Sequence, residues 1–357
     1  MRTKMNRISF ILTVIVLFIA GYHISIIYAA EDVAAGDCGW DMTWVLNSDG
    51  VLTISGEGDM WDFSDSTPWK FYTRDIYEVT LEDGVESIGK NAFFGCTRLE
   101  KITIPDSMKS IKTEAFLMCS SLKSIEIPAN VTDIALLAFD DCSSLEEITV
   151  SDQNPVYTSF EGILFSKDMK IIIYCPAAKP DIQEFSIPEG VTTIGDYAFY
   201  KNTVLKSVTF PSTLTAIYGN AFSWCTKLRS VTIVPSISSI GSHAFSYCKM
   251  LKTITIPATV KRIGAYVFSS CDALQTAEFL DGIEEIPDSI FYNCKELKSV
   301  YIPSSVKSIQ TSAFSGCSGL QDVYYGGSQT TWENITFGTF NLSILDSAEI
   351  HYNSDKQ

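Results

Sequence analysis

The chain has 357 residues, 46% apolar and 19% charged, enough apolar content to bury a core, which excludes wholesale disorder. Its 26 Lys and Arg against 42 Asp and Glu give a formal net charge of −16, which repels phosphate backbones and argues against nucleic acid as a partner. Three histidines, His23, His243 and His351, are too few for a catalytic triad repertoire or for metal centres built from several imidazoles.

Arg2, Lys4 and Arg7 precede an apolar run from Ile8 to Ala20 and a softer stretch to Ala30. A basic start, an apolar middle and small residues at the end are the order of a secretory signal, with Ala29 and Ala35 as candidate cleavage points. An uncleaved anchor is the alternative reading of 1–30, because Ile8 to Ala30 carries no formal charge and roughly 20 apolar residues span a bilayer. Both readings export the remainder, as a secreted or cell-surface protein whose only membrane contact is this segment. Residues 31–75 then read as a cap, in which Trp44–Leu46, the turn Asn47–Gly50 and Val51–Ile54 form a hairpin by turn chemistry.

From 76 to 325 the chain repeats. Ala-Phe or a close relative stands at nine sites from 92–93 to 313–314, spaced by 23 residues except for one gap of 60 between 138 and 198. Four residues before every site stands an isoleucine (Ile88 to Ile309), and six after every Phe a leucine (Leu99 to Leu320). Such self-similarity is a solenoid. The closing L-x-x-I-x-I of each unit alternates at period two, which predicts eleven half-buried strands starting at 76, 99, 122, 145, 182, 205, 228, 251, 274, 297 and 320. Prolines such as Pro128 and Pro257 end them. The Ile-x-x-x-Ala-Phe segment is expected to return the chain in a short helical or 3-10 turn. Stacked units give parallel strands about 4.8 Å apart around one continuous core. The fourteen residues beyond the period fall in 151–181, where Gly162–Phe165 and Ile171–Tyr174 flank a polar turn and read as a hairpin leaving the stack. Residues 326–357, with Trp332 and a strand near Ala348–Ile350, read as the second cap.

Units such as Val191-Thr-Thr-Ile194-Gly-Asp-Tyr-Ala198-Phe199 resemble the BspA-like leucine-rich repeat proteins of bacterial and some protist surfaces. The likeness covers about 85 to 325, and the Cys38-Gly-Trp start and Tyr324-Tyr-Gly-Gly327 end are similar to flanks in that family. It implies a β-rich leucine-rich-repeat-like solenoid with a parallel sheet on one face, short turns on the other and capping elements at both ends. For function it implies surface display, attachment and host interaction; catalysis and a cofactor are not expected, because no pocket-forming insertion surrounds the chain's acidic groups. Departures are local: Asn202 replaces the column cysteine, Val267 and Ile290 replace alanine, Leu280 and Ser151 replace proline, and Pro235 arrives one residue late.

Eight of the ten cysteines (Cys96, Cys119, Cys142, Cys225, Cys248, Cys271, Cys294 and Cys317) share one repeat column. Column side chains point the same way, poor geometry for a disulfide, so a ladder of buried thiols is expected and no disulfide or metal site. Cys38 and Cys175 lie outside it. The acidic groups Asp59/Asp62/Asp65, Asp140-Asp141, Glu146-Glu147 and Glu284-Glu285 are the right residue type for glycosidase chemistry, but occupy variable surface positions. His243 reads as a solvated loop residue, and Asn130, Asn334 and Asn341 match the glycosylation acceptor.

The outward sheet face is the candidate ligand-binding surface. Mostly threonine fills its central column, but Tyr301 and Tyr324 break the pattern with two amphipathic rings, and Lys206, Arg229, Lys252 and Lys298 form a basic stripe beside them. A further aromatic set, Tyr197, Tyr200, Trp224, Tyr247, Tyr266 and Tyr292, belongs to the loop columns opposite. The expected function is binding of an extracellular protein or glycan. An envelope-organising protein held by its N-terminal helix is the alternative, and a carbohydrate-active enzyme the remote one.

Overall fold

The computed structural model describes residues 30–64, 66–345 and 347–354. The signal or anchor reading of the first residues, and Asp65 of the first acidic cluster, lie outside them.

The period-two segments are strands, and all eleven are present, from Glu78–Leu81 to Asp322–Tyr325. Each inward residue meets its equivalent in the next coil, as in Ile125↔Ile148 and Val300↔Val323, so the parallel register is the sequence period itself. The ladder is not unbroken. It lapses between Ser230–Val231 and Thr253–Ile256, in the coil where Pro235 comes late, and again between Lys101–Thr103 and Ser124–Ile127.

The return segment makes the short i→i+3, 3-10-type turns expected, with one addition before them. It opens with a second parallel ladder of two-residue strands, such as Ser110–Ile111 and Asp133–Ile134, that carries the isoleucine column. Single i→i+3 turns follow: Ala92 N–H donates to Gly89 O at 3.2 Å and Phe94 N–H to Asn91 O at 3.1 Å. Left-handed residues punctuate them, Asn91 (φ 56) and Gly95 (φ 71) in one coil, Asn220 (φ 55) and Trp224 (φ 63) in another. A left-handed residue stops a helix after one turn. Alternate N–H groups of the segment donate instead to the next coil, as Asn91 N–H to Thr113 O at 3.3 Å and Phe93 N–H to Ala115 O at 2.8 Å.

Inside, the phenylalanines stack ring on ring. From Phe199 through Phe222, Phe245, Phe268 and Phe291 to Phe314 the centroids are 4.8, 5.2, 5.5, 5.9 and 5.8 Å apart, and every ring is fully buried. Seven column thiols each donate to the Phe carbonyl of the preceding coil, as Cys248 Sγ to Phe222 O at 3.3 Å. The column geometry thus gives these seven thiols a carbonyl, and all ten cysteines are buried and free. Asn202 does not reproduce this donation: its Oδ1 accepts from Leu205 N–H at 3.0 Å, and its buried Nδ2 has no partner among the described residues.

The core is two clusters rather than one continuous column, and the insertion divides them. It does not leave the stack. Tyr157–Phe160, Ile163–Ser166 and Ile171–Tyr174 make an antiparallel trio, and the last pairs in parallel with Thr193–Ile194. Alternation along the middle strand explains the division: Leu164 packs into the N-terminal cluster, whereas Ile163 and Phe165 pack into the C-terminal one. Tyr174 continues the N-terminal ring stack, 5.5 Å from Phe139. Fully buried Asn154 pins the start of the insertion, donating to Pro128 O and Val131 O and accepting from the Val156 and Tyr157 N–H groups at 2.8–2.9 Å.

At the first end, Gly39–Asn47 and Val51–Met60 form a hairpin flanked by Asp32–Asp37, and Asn47 Oδ1 accepts from Asp49 N–H and Val51 N–H across the turn. Val51–Met60 starts both ladders, pairing with Glu78–Leu81 and then with Val85–Ile88. At the other end Thr336–Phe337 closes the second ladder and Glu349–Tyr352 the first. Trp332 packs between Tyr325 and Phe337.

Candidate ligand-binding face

The strand period sets what the sheet shows to solvent. With Val300 and Ile302 inward, Ser299 and Tyr301 face out, and the next strands repeat this with Asp322 and Tyr324, then Glu349 and His351. Tyr301 and Tyr324 stack at 4.6 Å and 12°, and the stack runs on to His351, 4.7 Å from Tyr324 at 15°. All three rings are half-buried, so one edge of each remains available. His351 Nε2 lies 2.8 Å from Asp322 Oδ1. The Asp322 carboxylate pushes the Tyr324 hydroxyl above its usual pKa. Upstream in the same column Glu278 is almost fully buried and accepts from Thr255 Oγ1 at 3.0 Å.

The basic stripe lies along the edge where the chain enters the strands. Arg229 N–H donates to Lys206 O at 2.9 Å, so these two are stacked neighbours; Gln275 interposes between Lys252 and Lys298 through bonds of 2.8 and 2.9 Å. Lys206 is half-buried, and Arg229, Lys252 and Lys298 are exposed. Among the described residues none of the four closes a salt bridge within 4.0 Å. Like charges on adjacent strands are unfavourable, so an anionic surface laid over the stripe would relieve them.

Four carboxylates of the acidic groups are tied into ion pairs. Lys201 bridges Asp140 at 3.1 Å and Asp141 at 2.8 Å, tying the coils on either side of the insertion, and burial holds the Asp140 carboxyl above its usual pKa. Glu284 pairs with Lys307 at 3.0 Å and Asp62 with Lys112 at 3.1 Å. A hollow of about 300 Å³ beside the first cap is lined by Phe63, Thr67, Asn91 and Phe94, with Lys70 the one charged side chain among the described residues.

Three residues behave otherwise than their sequence positions suggest. His243 is not a solvated loop residue: it is half-buried, stacks on Tyr266 at 4.9 Å, and burial lowers its pKa. Asn341 is fully buried and donates to Gln310 O at 2.7 Å, which removes it as a glycosylation acceptor. His351 joins the sheet-face stack although its coil departs from the period, with 27 residues separating Asp322 from its partner Glu349. On the turn edge Trp224 and Tyr247 stack at 4.2 Å, a second and separate aromatic track.

The repeat model described as the BspA type leucine rich repeat region matches residues 69–174, 169–297 and 239–354. The chain belongs to the BspA-type leucine-rich repeat family. No curated protein sequence matches it. Among solved structures it is similar to a leucine-rich repeat protein from Eubacterium ventriosum, 26% identical over 81% of this chain and 84% of that one, with a TM-score of 0.57. The pneumococcal vaccine antigen PcpA shares the fold at 18% identity and a TM-score of 0.68, covering 91% of this chain and all of that one. A Bacteroides ovatus leucine-rich repeat protein does so at 23% and 0.51, covering 87% and 88%. Among the described residues no helix is long and apolar enough to cross a membrane.

Proposed function

We propose that this BspA-type repeat protein is exported to the cell surface or beyond, and that its sheet face binds an extracellular protein or glycan carrying negative charge. The observation that carries the reading is an aromatic stack on the sheet face, Tyr301–Tyr324–His351, with a stripe of cations along the entry edge of the same sheet that closes no salt bridge among the described residues. Stacked rings offer rigid amphipathic area at little entropic cost, and the stripe supplies steering in a chain of formal charge −16. Export rests on the basic start and apolar run of residues 2–30 and on the surface display the family resemblance implies. A broad, shallow repeated surface suits macromolecular ligands more than chemistry that needs a water-excluding cleft.

The test is binding of the purified chain to matrix proteins, mucins and acidic glycans at low and high salt, against the triple variant Lys206→Glu, Arg229→Glu, Lys252→Glu. The reading predicts a hit that weakens with salt and is lost in the variant. Silence across the panel, or a hit the reversal leaves intact, would overturn it.

A further inference from the structure

We propose that Asp322, Glu349 and His351 form a binding site for one zinc-class divalent ion at the C-terminal end of the sheet face. Asp322 and Glu349 are direct partners on adjacent parallel strands, and His351 lies two residues beyond Glu349, which places all three on one face. One donor atom from each lies within 4.8 Å of the others. Around tetrahedral zinc, donor atoms sit about 3.4 Å apart, so small side-chain rotations close the set.

Two further features point to a cation. Facing carboxylates on neighbouring strands repel. Among the described residues no Lys or Arg closes a salt bridge to either; Asp322 has only the His351 ring, at 2.8 Å. The imidazole is also held in place. Its stacking on Tyr324 at 4.7 Å holds the ring plane, and Nε2, now hydrogen-bonded to Asp322 Oδ1 at 2.8 Å, would give up that bond so that both atoms face the ion. One nitrogen and two carboxylates suit a borderline ion such as Zn²⁺, whereas Ca²⁺ takes oxygen ligands alone. The scarcity of histidine excludes centres of several imidazoles, and this site uses one. Three protein ligands on an outward face leave the fourth position open to solvent, beside the Tyr324 ring.

The inference stands whether or not the sheet face binds a partner, because it is read without one. Tag-free, metal-stripped full-length chain is titrated with ZnCl₂ by calorimetry. One ion per chain is expected. His351→Asn, Asp322→Asn and Glu349→Gln should each weaken it by about tenfold or more, while Glu284→Gln, at an exposed carboxylate outside the site that pairs with Lys307, leaves it unchanged. Circular dichroism confirms that each variant is folded. CaCl₂ should give no comparable binding, and a Co²⁺ complex should show an N/O-ligand spectrum without thiolate charge transfer. Absence of zinc binding, binding unaffected by His351→Asn, equal affinity for Ca²⁺, or a thiolate spectrum would each overturn the assignment.

Discussion

Truncating one ring of the central stack, Phe245→Ala, tests how the solenoid is held together. Phe245 is fully buried, with Phe222 at 5.2 Å and 2° on one side and Phe268 at 5.5 Å and 10° on the other. A Phe to Ala change in a core costs about 3–5 kcal/mol, and each stacked ring contact adds about 0.5–1.5 kcal/mol beyond its area. Parallel coils on both sides cannot collapse into the gap without breaking their 23-residue register, so the upper part of that range, about 4–5 kcal/mol, is expected. Because coils contact only their neighbours, the damage should be local. Hydrogen exchange followed by mass spectrometry should show lost protection from about 194 to 345, the C-terminal cluster, with residues 38–150 protected as before, since the insertion separates the two cores. Urea unfolding gives the magnitude. A loss under about 1 kcal/mol, or loosening spread evenly over both clusters, would refute the reasoning.

Alkali should also destabilise the fold. Burial pushes the Cys96 and Cys142 thiols up to about 12 from an ordinary 9.0, so the unfolded chain releases their protons first. Stability is then full below pH 9 and falls between 9 and 12; in urea titrations the double variant Cys96→Ala, Cys142→Ala should start less stable but show a flatter alkaline slope. Asn154→Ala strands two carbonyls and two N–H groups at the root of the insertion and should cost about 3 kcal/mol by chemical unfolding, with under 1 kcal/mol contradicting its anchoring role. Reversing Lys206, Arg229 and Lys252 should change the unfolding midpoint by no more than about 0.5 kcal/mol equivalent, because none of the three closes a salt bridge among the described residues.

What the sequence made legible was whatever obeyed the 23-residue period. Ile125 over Ile148 and the Phe199–Phe314 stack follow from counting, because identical spacing in a parallel ladder puts like residues in register. The cysteine column is legible for the same reason, and the Phe carbonyl that each of the seven donating thiols meets lies one coil back. Two-residue strands such as Ser110–Ile111 carry no period-two signal, so the second ladder was hidden behind an expected turn. The insertion was visible as a hairpin but its docking was not. Its last strand pairs Ile172 with Ile194, 22 residues on, so the period could not place it. In the candidate site, Tyr301 and Tyr324 were legible as neighbours one period apart. His351 was not, because extrapolating the period from Tyr324 reaches Ser347, and only the structure shows the longer last coil restoring register.

The most direct test of the claim that the sheet face does the binding is a side-by-side comparison of its two aromatic tracks. Tyr301→Ala/Tyr324→Ala removes the sheet-face stack, and Trp224→Ala/Tyr247→Ala removes the turn-edge one. Affinity of both variants for the strongest ligand of the panel should fall at least about tenfold for the first and stay at the wild-type value for the second. Loss in the turn-edge variant with the sheet-face variant intact would move the binding surface to the opposite side of the solenoid and contradict the account.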